Sequence, residues 1–204
     1  MAQPSWNENY AAGEIPWDTG KPAALLVEFV AAGRIPPSRT LEIGCGTGTN
    51  AIWLAEHGFE VEGIDLAPLA IERAEARLQG RKLPCRFRTL DFLNTSLPED
   101  SYHFVFDRGC FHVFDDAPQR EQFAARVSAA LVTGGLWLSL LGSTEGPARE
   151  VGPPRRSARD ITAAVEPFLE IVELRAAEFS EYGFSAWMLL ARKRAIPAQP
   201  STQP

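Results

Sequence analysis

The sequence predicts an α/β fold: a seven-stranded, mostly parallel, doubly wound sheet with an antiparallel last strand and helices on both faces. From about residue 39 onward, short apolar runs of strand length alternate with segments of helical periodicity. The first apolar run passes directly into a glycine-rich loop, and the last two runs are separated by a few residues, as in a hairpin. The 204 residues match the size of about one domain.

The first half of the chain begins with a leader, residues 1–21, which we expect to be irregular and which is rich in aromatic side chains. The helix after it is bounded by Pro22 in its first turn and by Gly33 at its end. A later helix carries Ile71, Ala74 and Leu78 on one face and charged residues on the other. The elements predicted here are, in order, the helix Pro22–Gly33, the strand Thr40–Ile43, the helix Thr49–His57, the strand Phe59–Ile64, the helix Pro68–Leu78 and the strand Arg86–Leu90.

In the second half, a helix with Phe123, Val127 and Leu131 at intervals of four is expected to end at Gly134 and Gly135. The next strand is an apolar run typical of burial on both faces, and a loop rich in glycine and proline follows it over residues 142–156. We expect the domain to cover residues 22–194 and the polar tail, residues 195–204, to be disordered. The elements are, in order, the strand Tyr102–Phe106, the helix Gln119–Leu131, the strand Leu136–Leu141, the helix Ala158–Val165 and the strands Phe168–Ala177 and Phe184–Arg192.

Charge and cysteine content exclude several classes of protein. Twenty basic and 26 acidic residues give a net charge of −6, which argues against a nucleic-acid partner. The three cysteines form no CxxC pair, so neither a disulfide framework nor a metal site is predicted. The N-terminus lacks the pattern of a signal peptide, and no apolar stretch is long enough to cross a bilayer. We therefore expect a cytoplasmic protein with no membrane partner.

The glycine-rich loop after the first strand is the strongest functional signal. Gly44, Gly46 and Gly48 stand at alternate positions, where they allow tight turns and close approach of the backbone to a ligand. A dinucleotide fingerprint needs its third glycine one place later, where Thr49 stands, and the lysine of a phosphate-binding loop is absent. Glu42 beside the loop would repel a pyrophosphate. Its carboxylate suits a ligand that carries an ammonium group.

An acidic residue also stands at the end of each of the next three predicted strands. These residues are Asp65, Asp91 and Asp107. Ligands of open α/β sheets bind at the carboxyl ends of the strands, and an acid at the end of the second strand commonly accepts a pair of ribose hydroxyls. Four acidic residues at successive strand ends therefore predict a polar pocket for a ligand with several hydrogen-bond donors and a positive charge.

These motifs, over about residues 39–192, resemble the class I S-adenosylmethionine-dependent methyltransferases, whose sheet is Rossmann-like. The resemblance implies S-adenosylmethionine as cofactor, with its methionine and ribose at Glu42–Gly48, its ribose hydroxyls at Asp65 and its adenine at Asp91 and Phe92. It places Asp107 near the transferring methyl group, which makes this residue a catalytic candidate. The cofactor-binding residues implied are Trp17, Glu42, Gly44, Cys45, Gly46, Gly48, Asp65, Leu66, Asp91, Phe92 and Asp107.

Two segments narrow the resemblance. Pro16–Gly20 in the leader and Asp107–His112 after the fourth strand are similar to the thiopurine, thiol/halide and tellurite-resistance branch of small-molecule methyltransferases. In that branch the leader folds over the cofactor and closes the substrate pocket, so the resemblance implies a lid that contains Trp17. Candidate substrate-binding residues are Trp6, Tyr10, Phe111 and Arg155, although Phe111 could equally pack in the core and Arg155 could belong to a solvated basic loop.

The predicted function is methyl transfer to a small-molecule soft nucleophile, most of all a thiol, because a thiolate needs no general base when it attacks. O- or N-methylation is the alternative, with His112 as base because its pKa lies near neutrality, although His112 could equally be a hydrogen-bonded structural histidine. Cys110 is not expected to be a nucleophile, since Gly109 replaces the proline of the cytosine-5 enzymes. A nucleic-acid methyltransferase and a binding module without activity are further alternatives.

Overall fold

The computed structural model describes residues 6–148 and 152–195, so residues 196–204 of the predicted tail lie outside the described part. Strands and helices alternate along it as predicted. The helices are α1 Trp6–Ala12, α2 Ala24–Ala31, α3 Thr49–Glu56, α4 Pro68–Leu78, α5 Ala117–Ala130 and α6 Ala158–Val165. The strands are β1 Arg39–Ile43, β2 Glu60–Asp65, β3 Cys85–Thr89, β4 Tyr102–Arg108, β5 Leu131–Gly142, β6 Glu170–Phe179 and β7 Phe184–Arg192.

The seven strands form one sheet in the order β3-β2-β1-β4-β5-β7-β6. All neighbours are parallel up to β5, and β7 runs antiparallel to both β5 and β6. This arrangement confirms the predicted fold class. The strand order reverses between β1 and β4, which is the place where open α/β sheets bind their ligands.

Apolar side chains cover both faces of the sheet because successive residues of a strand point to opposite sides. Val105 of β4 belongs to a core cluster with α5 and α6, whereas Phe104 and Phe106 belong to a second cluster with α2 and α3. A capping box between Ser157 and Asp160 fixes the start of α6. Helices therefore pack on both faces, and only strand ends and loops remain to form a site.

Two predictions about local structure were wrong. Residues 6–12 of the leader form a short helix, in which Tyr10 is buried against α4. The expectation that Gly134 and Gly135 end a helix also fails, because α5 ends at Ala130 and β5 begins at Leu131. The register of β5 on β4 shifts within this stretch, and the left-handed backbone of Gly134 accommodates the irregularity. None of the helices in the described ranges is long and apolar enough to cross a membrane.

Candidate active site at the carboxyl ends of the strands

The glycine loop between β1 and α3 leaves no room for side chains. All three of its glycines have φ between 55° and 80°, a left-handed backbone that other residues rarely adopt. A Cβ on Gly44 would lie 3.1 Å from the Cβ of Cys110, and one on Gly46 would lie 3.0 Å from the hydroxyl of Tyr10. On Gly48 it would clash with the ring of Phe87 at 2.6 Å. The loop therefore presents bare backbone at the end of the sheet.

Glu42 lies at the end of β1 under this loop and is almost completely buried. Its Oε1 accepts a hydrogen bond from Asn50 Nδ2 at 2.9 Å, whereas its Oε2 has no hydrogen-bond partner among the described residues. Burial raises the pKa of this carboxyl group to about 8, although the hydrogen bond from Asn50 opposes the shift. A buried acceptor without a partner is costly, so the site suits a ligand that donates a hydrogen bond or carries a positive charge here.

Asp65 ends β2 next to the glycine loop. Its two oxygens accept hydrogen bonds at 2.9 Å from the backbone N–H groups of Gly46 and Ala67, and burial raises its pKa. These bonds fix the carboxylate beside the loop and leave lone pairs that can accept from further donors. The neighbouring Leu66 is an apolar side chain that is 53% exposed, so it offers a surface on which a flat ring can pack.

Asp91 and Phe92 follow β3 and point in different directions. Asp91 is partly buried, and its carboxylate accepts hydrogen bonds from the N–H of Leu93 and the side chain of Asn94. The ring of Phe92 is buried and lies 4.8 Å from that of Phe123 in the core. The ring of Phe92 therefore packs in the core, and a contact between this residue and adenine remains a prediction.

Asp107 near the end of β4 is fully buried, and both of its carboxylate oxygens accept hydrogen bonds. Its Oδ1 accepts from the N–H groups of Cys110 and Phe111, and its Oδ2 accepts from Trp137 Nε1 at 2.9 Å. Burial raises its pKa, and the hydrogen bond from Phe111 opposes the shift. This geometry suits a residue that positions the turn after β4. The predicted catalytic role of Asp107 is not supported by these contacts and stays a prediction.

The aromatic leader residues gather over the glycine loop. Trp17 packs edge-on against Trp6 and Tyr10, with ring centroids 5.5 and 6.1 Å apart. The side chain of Asp18 ties this segment to the loop because its Oδ2 accepts from Thr47 Oγ1 at 2.7 Å. Burial and the nearby charge of Asp65 raise the pKa of Tyr10, which keeps its phenol neutral. The leader therefore contacts the glycine loop, and its role as a lid stays a prediction.

The structure adds Arg108, which the sequence interpretation did not single out. Its Nη1 donates to the backbone carbonyl of Trp17 at 3.0 Å, and its Nη2 lies 3.3 Å from a carboxylate oxygen of Glu181 in the hairpin between β6 and β7. Tyr182 in the same hairpin donates to the carbonyl of Pro16. The leader, the end of β4 and the hairpin thus enclose one site. The position of Arg108 directly after a strand-end aspartate was the only sequence signal available.

His112 is buried in the 3-10 turn Phe111–Val113. Its Nδ1 accepts a hydrogen bond from the N–H of Gly142 at 2.8 Å, so the proton of the neutral ring is carried by Nε2. A histidine in this tautomer has no free lone pair with which to act as a base. Burial also raises the pKa of the adjacent Cys110 thiol well above its usual value, which keeps this sulfur unreactive.

Two predicted substrate-binding residues are engaged elsewhere. The ring of Phe111 is fully buried between Phe123 and Trp137, in agreement with the alternative that it packs in the core. The guanidinium of Arg155 donates to backbone carbonyls of its own loop, including that of Ser143 at 2.7 Å. It thereby holds the loop together, and its binding of an acidic acceptor stays a prediction.

The site fits the predicted cofactor on grounds of donor chemistry. The unpaired Oε2 of Glu42 suits an ammonium group, the bare glycine backbone admits a closely packed ligand, and Asp65 retains capacity to accept from hydroxyls. The aromatic rings of Tyr10 and Trp17 can stabilise a sulfonium by cation–π attraction. These groups come from the end of β1 with its glycine loop, from the end of β2 and from the leader.

Comparison with known proteins agrees with this assignment. Residues 40–135 match the family model described as a methyltransferase domain. A probable thiol methyltransferase 2 from Arabidopsis thaliana is 31% identical over 153 residues, which cover 73% of this chain and 65% of the relative. The chain therefore spans somewhat less than two thirds of that relative's length.

Solved structures share the fold over most of the chain. One, reported for the conversion of a disulfide bond into a thioacetal group during echinomycin biosynthesis, has a TM-score of 0.76 and 26% identity, covering 88% of this chain and 84% of the other. The 1,6-didemethyltoxoflavin-N1-methyltransferase of Burkholderia thailandensis, solved with bound S-adenosylhomocysteine, has a TM-score of 0.75 at 18% identity, covering 92% and 85%. The methyltransferase domain model and the thiol methyltransferase relative support a class I S-adenosylmethionine-dependent methyltransferase that is related to the thiol methyltransferases and has S-adenosylmethionine as its cofactor.

Proposed function

We propose that this protein transfers a methyl group to a small-molecule soft nucleophile, above all a thiol. The observation that carries the proposal is the hydrogen bond from the Gly142 N–H to His112 Nδ1, because it leaves the histidine next to the site without a basic nitrogen. An alcohol or amine acceptor commonly needs a base to remove its proton, whereas a thiolate attacks without one. The thiol methyltransferase relative and the sulfur chemistry of the echinomycin protein point the same way.

The cofactor supplies an electrophilic methyl group on a sulfonium, and the protein supplies position and environment. Glu42 would hold the ammonium end, Asp65 the ribose hydroxyls and the glycine loop the chain between them. Holding both reactants in line can lower the barrier by about 7–11 kcal/mol. Asp107 contributes indirectly, because its bonds to the Cys110 and Phe111 N–H groups shape the turn beside the site.

The aromatic lid acts on the nucleophile. Trp17 and Tyr10 cover the glycine loop and exclude water, and loss of hydration makes an anionic sulfur more reactive. Their faces add roughly 0.5–2 kcal/mol of cation–π stabilisation to a bound sulfonium. Two adjacent residues anchor the lid, because Asp18 accepts from Thr47 and the Trp17 carbonyl accepts from Arg108.

His112→Asn tests the proposal. The asparagine Oδ1 can accept from the Gly142 N–H in place of Nδ1, so the structural role is kept while the imidazole is lost. With a thiol acceptor we expect kcat/KM to stay within about tenfold of wild type, because no base is removed. If His112 is a base, the loss should be about 10²–10⁴-fold.

The acceptor is identified with methyl-labelled cofactor and a panel containing a thiol, a selenide, a halide, a catechol and an amine. Product from the thiol, with a small effect of His112→Asn, is the expected result. Activity confined to the catechol or the amine, together with a large effect of His112→Asn, would establish the O- or N-methyltransferase alternative instead.

A further inference from the structure

A cavity at the amino ends of the strands lies at the opposite end of the sheet from the candidate active site. This amino-end cavity has a volume of about 320 Å³ and is walled by the first residues of β1, β2, β3 and β4 and by the turn before β3. A strand rises roughly 3.3 Å per residue, so Arg39 in the cavity lies about 13 Å from Ile43 at the other end of β1. Cavities of this size can hold a small molecule.

One residue that lines the amino-end cavity is a buried carboxylate. Glu62 on β2 is 5% exposed, and its Oε2 accepts hydrogen bonds from Arg86 Nη2 at 2.6 Å and from the Tyr102 hydroxyl at 2.7 Å. Its Oε1 lies 3.4 Å from Arg88 Nη2. Burial alone would raise the pKa of Glu62, but the hydrogen bonds from Arg86 and Tyr102 lower it. Glu62 therefore has its partners within the protein and does not require a cation in the cavity.

The arginines around this carboxylate outnumber it. Among the described residues, Arg86 and Arg88 have only Glu62 as a charged partner, and their side chains remain 61% and 50% exposed. The guanidinium of Arg39 lies over the ring of Tyr102, 5.2 Å from its centre. It forms no ion pair or hydrogen bond with a side chain of the described part of the chain. Most N–H groups of these three guanidiniums are thus available to a ligand.

Glu60 is the second acidic residue at the amino-end cavity. It stands opposite Arg39 in the register of β1 on β2, but it is exposed, and no ion pair joins the two side chains. Three guanidiniums and two carboxylates leave one net positive charge here, although the whole protein has a net charge of −6. The excess charge and the available N–H donors favour an anionic ligand.

The number of donors indicates which anion fits. The two oxygens of a carboxylate are matched by a single guanidinium, whereas the three terminal oxygens of a phosphate group can accept from two guanidiniums at once. Arg39 and Arg86 both line the amino-end cavity. The volume of about 320 Å³ also leaves room for the rest of a molecule that carries the phosphate.

We propose that the amino-end cavity binds a small molecule through a phosphate group, which accepts hydrogen bonds from Arg39 and Arg86. The phosphate can belong to an ester or be inorganic phosphate. Because the cavity and the glycine loop lie at opposite ends of β1, both can be occupied at the same time. The proposal concerns a separate site and does not depend on which acceptor is methylated.

Isothermal titration calorimetry at constant ionic strength tests the proposal with three probes, namely phenyl phosphate, inorganic phosphate and benzoate. We expect saturable binding of both phosphates and weaker binding of benzoate. In Arg39→Gln and in Arg86→Gln the phosphates should bind at least about tenfold more weakly, as for loss of hydrogen bonds to a charged group. Saturating S-adenosylhomocysteine should leave the affinity for phosphate unchanged.

Two further variants serve as controls. Arg81→Gln removes the same charge from a neighbouring arginine that pairs with Glu56 and does not line the cavity, so affinity should stay within about twofold of wild type. Arg39→Lys keeps the charge but loses the forked donors, so it should recover only part of the affinity. Thermal unfolding shows whether each variant is folded, and Arg39→Gln leaves the bonds of buried Glu62 in place.

Four results would overturn the proposal. These are the absence of saturable binding by either phosphate, benzoate that binds as tightly as phenyl phosphate, equal losses in Arg81→Gln and Arg39→Gln, and displacement of phosphate by S-adenosylhomocysteine. The third would mean that general surface charge attracts the anion, and the fourth would place the phosphate in the cofactor site. Tighter binding of phenyl phosphate than of inorganic phosphate supports an ester as ligand, and equal binding supports inorganic phosphate.

Discussion

Replacing Glu42 with glutamine should make the protein more stable and its cofactor binding weaker. The pKa of Glu42 is about 8 in the folded protein, against 4.5 for a free glutamate, because burial disfavours the charged form. The folded state therefore holds a proton that the unfolded state has lost above pH 4.5. Stability falls as the pH rises from about 4.5 to about 8 and is level above that.

The magnitude follows from the two pKa values. Each pH unit between them is worth about 1.4 kcal/mol, which gives at most about 3 kcal/mol at pH 7 and about 5 kcal/mol at pH 9. Glutamine does not ionise and can still accept from Asn50, so Glu42→Gln should gain stability by amounts up to these values. Urea denaturation between pH 6 and pH 9 measures the difference. A variant less stable than wild type at every pH, with the same pH dependence, would refute the reasoning.

The same carboxyl group couples cofactor binding to pH. An ammonium group binds best to ionised Glu42, and most of Glu42 is protonated at pH 7 if its pKa is about 8. Binding of S-adenosylhomocysteine at pH 7 should then release close to one proton, and affinity should rise as the pH approaches 8. Calorimetry in buffers of different ionisation enthalpy measures this proton. In Glu42→Gln the proton release should vanish and the affinity should be lower.

Two further substitutions test the loop and the turn. Gly46→Ala should weaken the binding of S-adenosylhomocysteine more than tenfold, as measured by calorimetry. The left-handed backbone costs an alanine about 1–2 kcal/mol, and the added Cβ would lie 3.0 Å from the Tyr10 hydroxyl. Tyr10→Phe in the same chain should restore part of the loss, and no restoration would contradict the contact. Asp107→Asn should lower the free energy of unfolding in urea by about 2–3 kcal/mol, because an amide cannot accept all of the buried N–H donors. The exposed Asp115→Asn is its control and should change stability by less than about 1 kcal/mol. Loss of activity with unchanged stability in Asp107→Asn would instead support the catalytic role.

The sheet and the left-handed glycine loop after its first strand could be predicted because their signals are local. Alternation of apolar runs fixed the strands, and Gly44 needs its left-handed backbone whatever lies around it. The helix Trp6–Ala12 could not be predicted, since seven residues are too few for helical periodicity and the packing of Tyr10 against α4 stabilises it.

The hydrogen-bond partners of the candidate side chains were the property that the sequence predicted least well. His112 is occupied by a hydrogen bond from the Gly142 N–H, and Arg155 donates to backbone carbonyls of its own loop, and neither bond is visible in the sequence. Arg108, in contrast, was not singled out from the sequence although it lies at the site. Its partners are the Trp17 carbonyl in the leader and Glu181 in the β6–β7 hairpin, which are both far from it in the sequence.

Two segments that lie far apart in the sequence meet in space to enclose the pocket. The carboxylates and glycines assigned to the cofactor lie between Glu42 and Asp107, whereas the covering walls come from Pro16 and Trp17 at one extremity and from Glu181 and Tyr182 at the other. Because Trp17 belongs to one wall and also packs on Tyr10 over the glycine loop, a substitution in the hairpin can disturb the cofactor end of the pocket although it lies more than 160 residues away in the sequence.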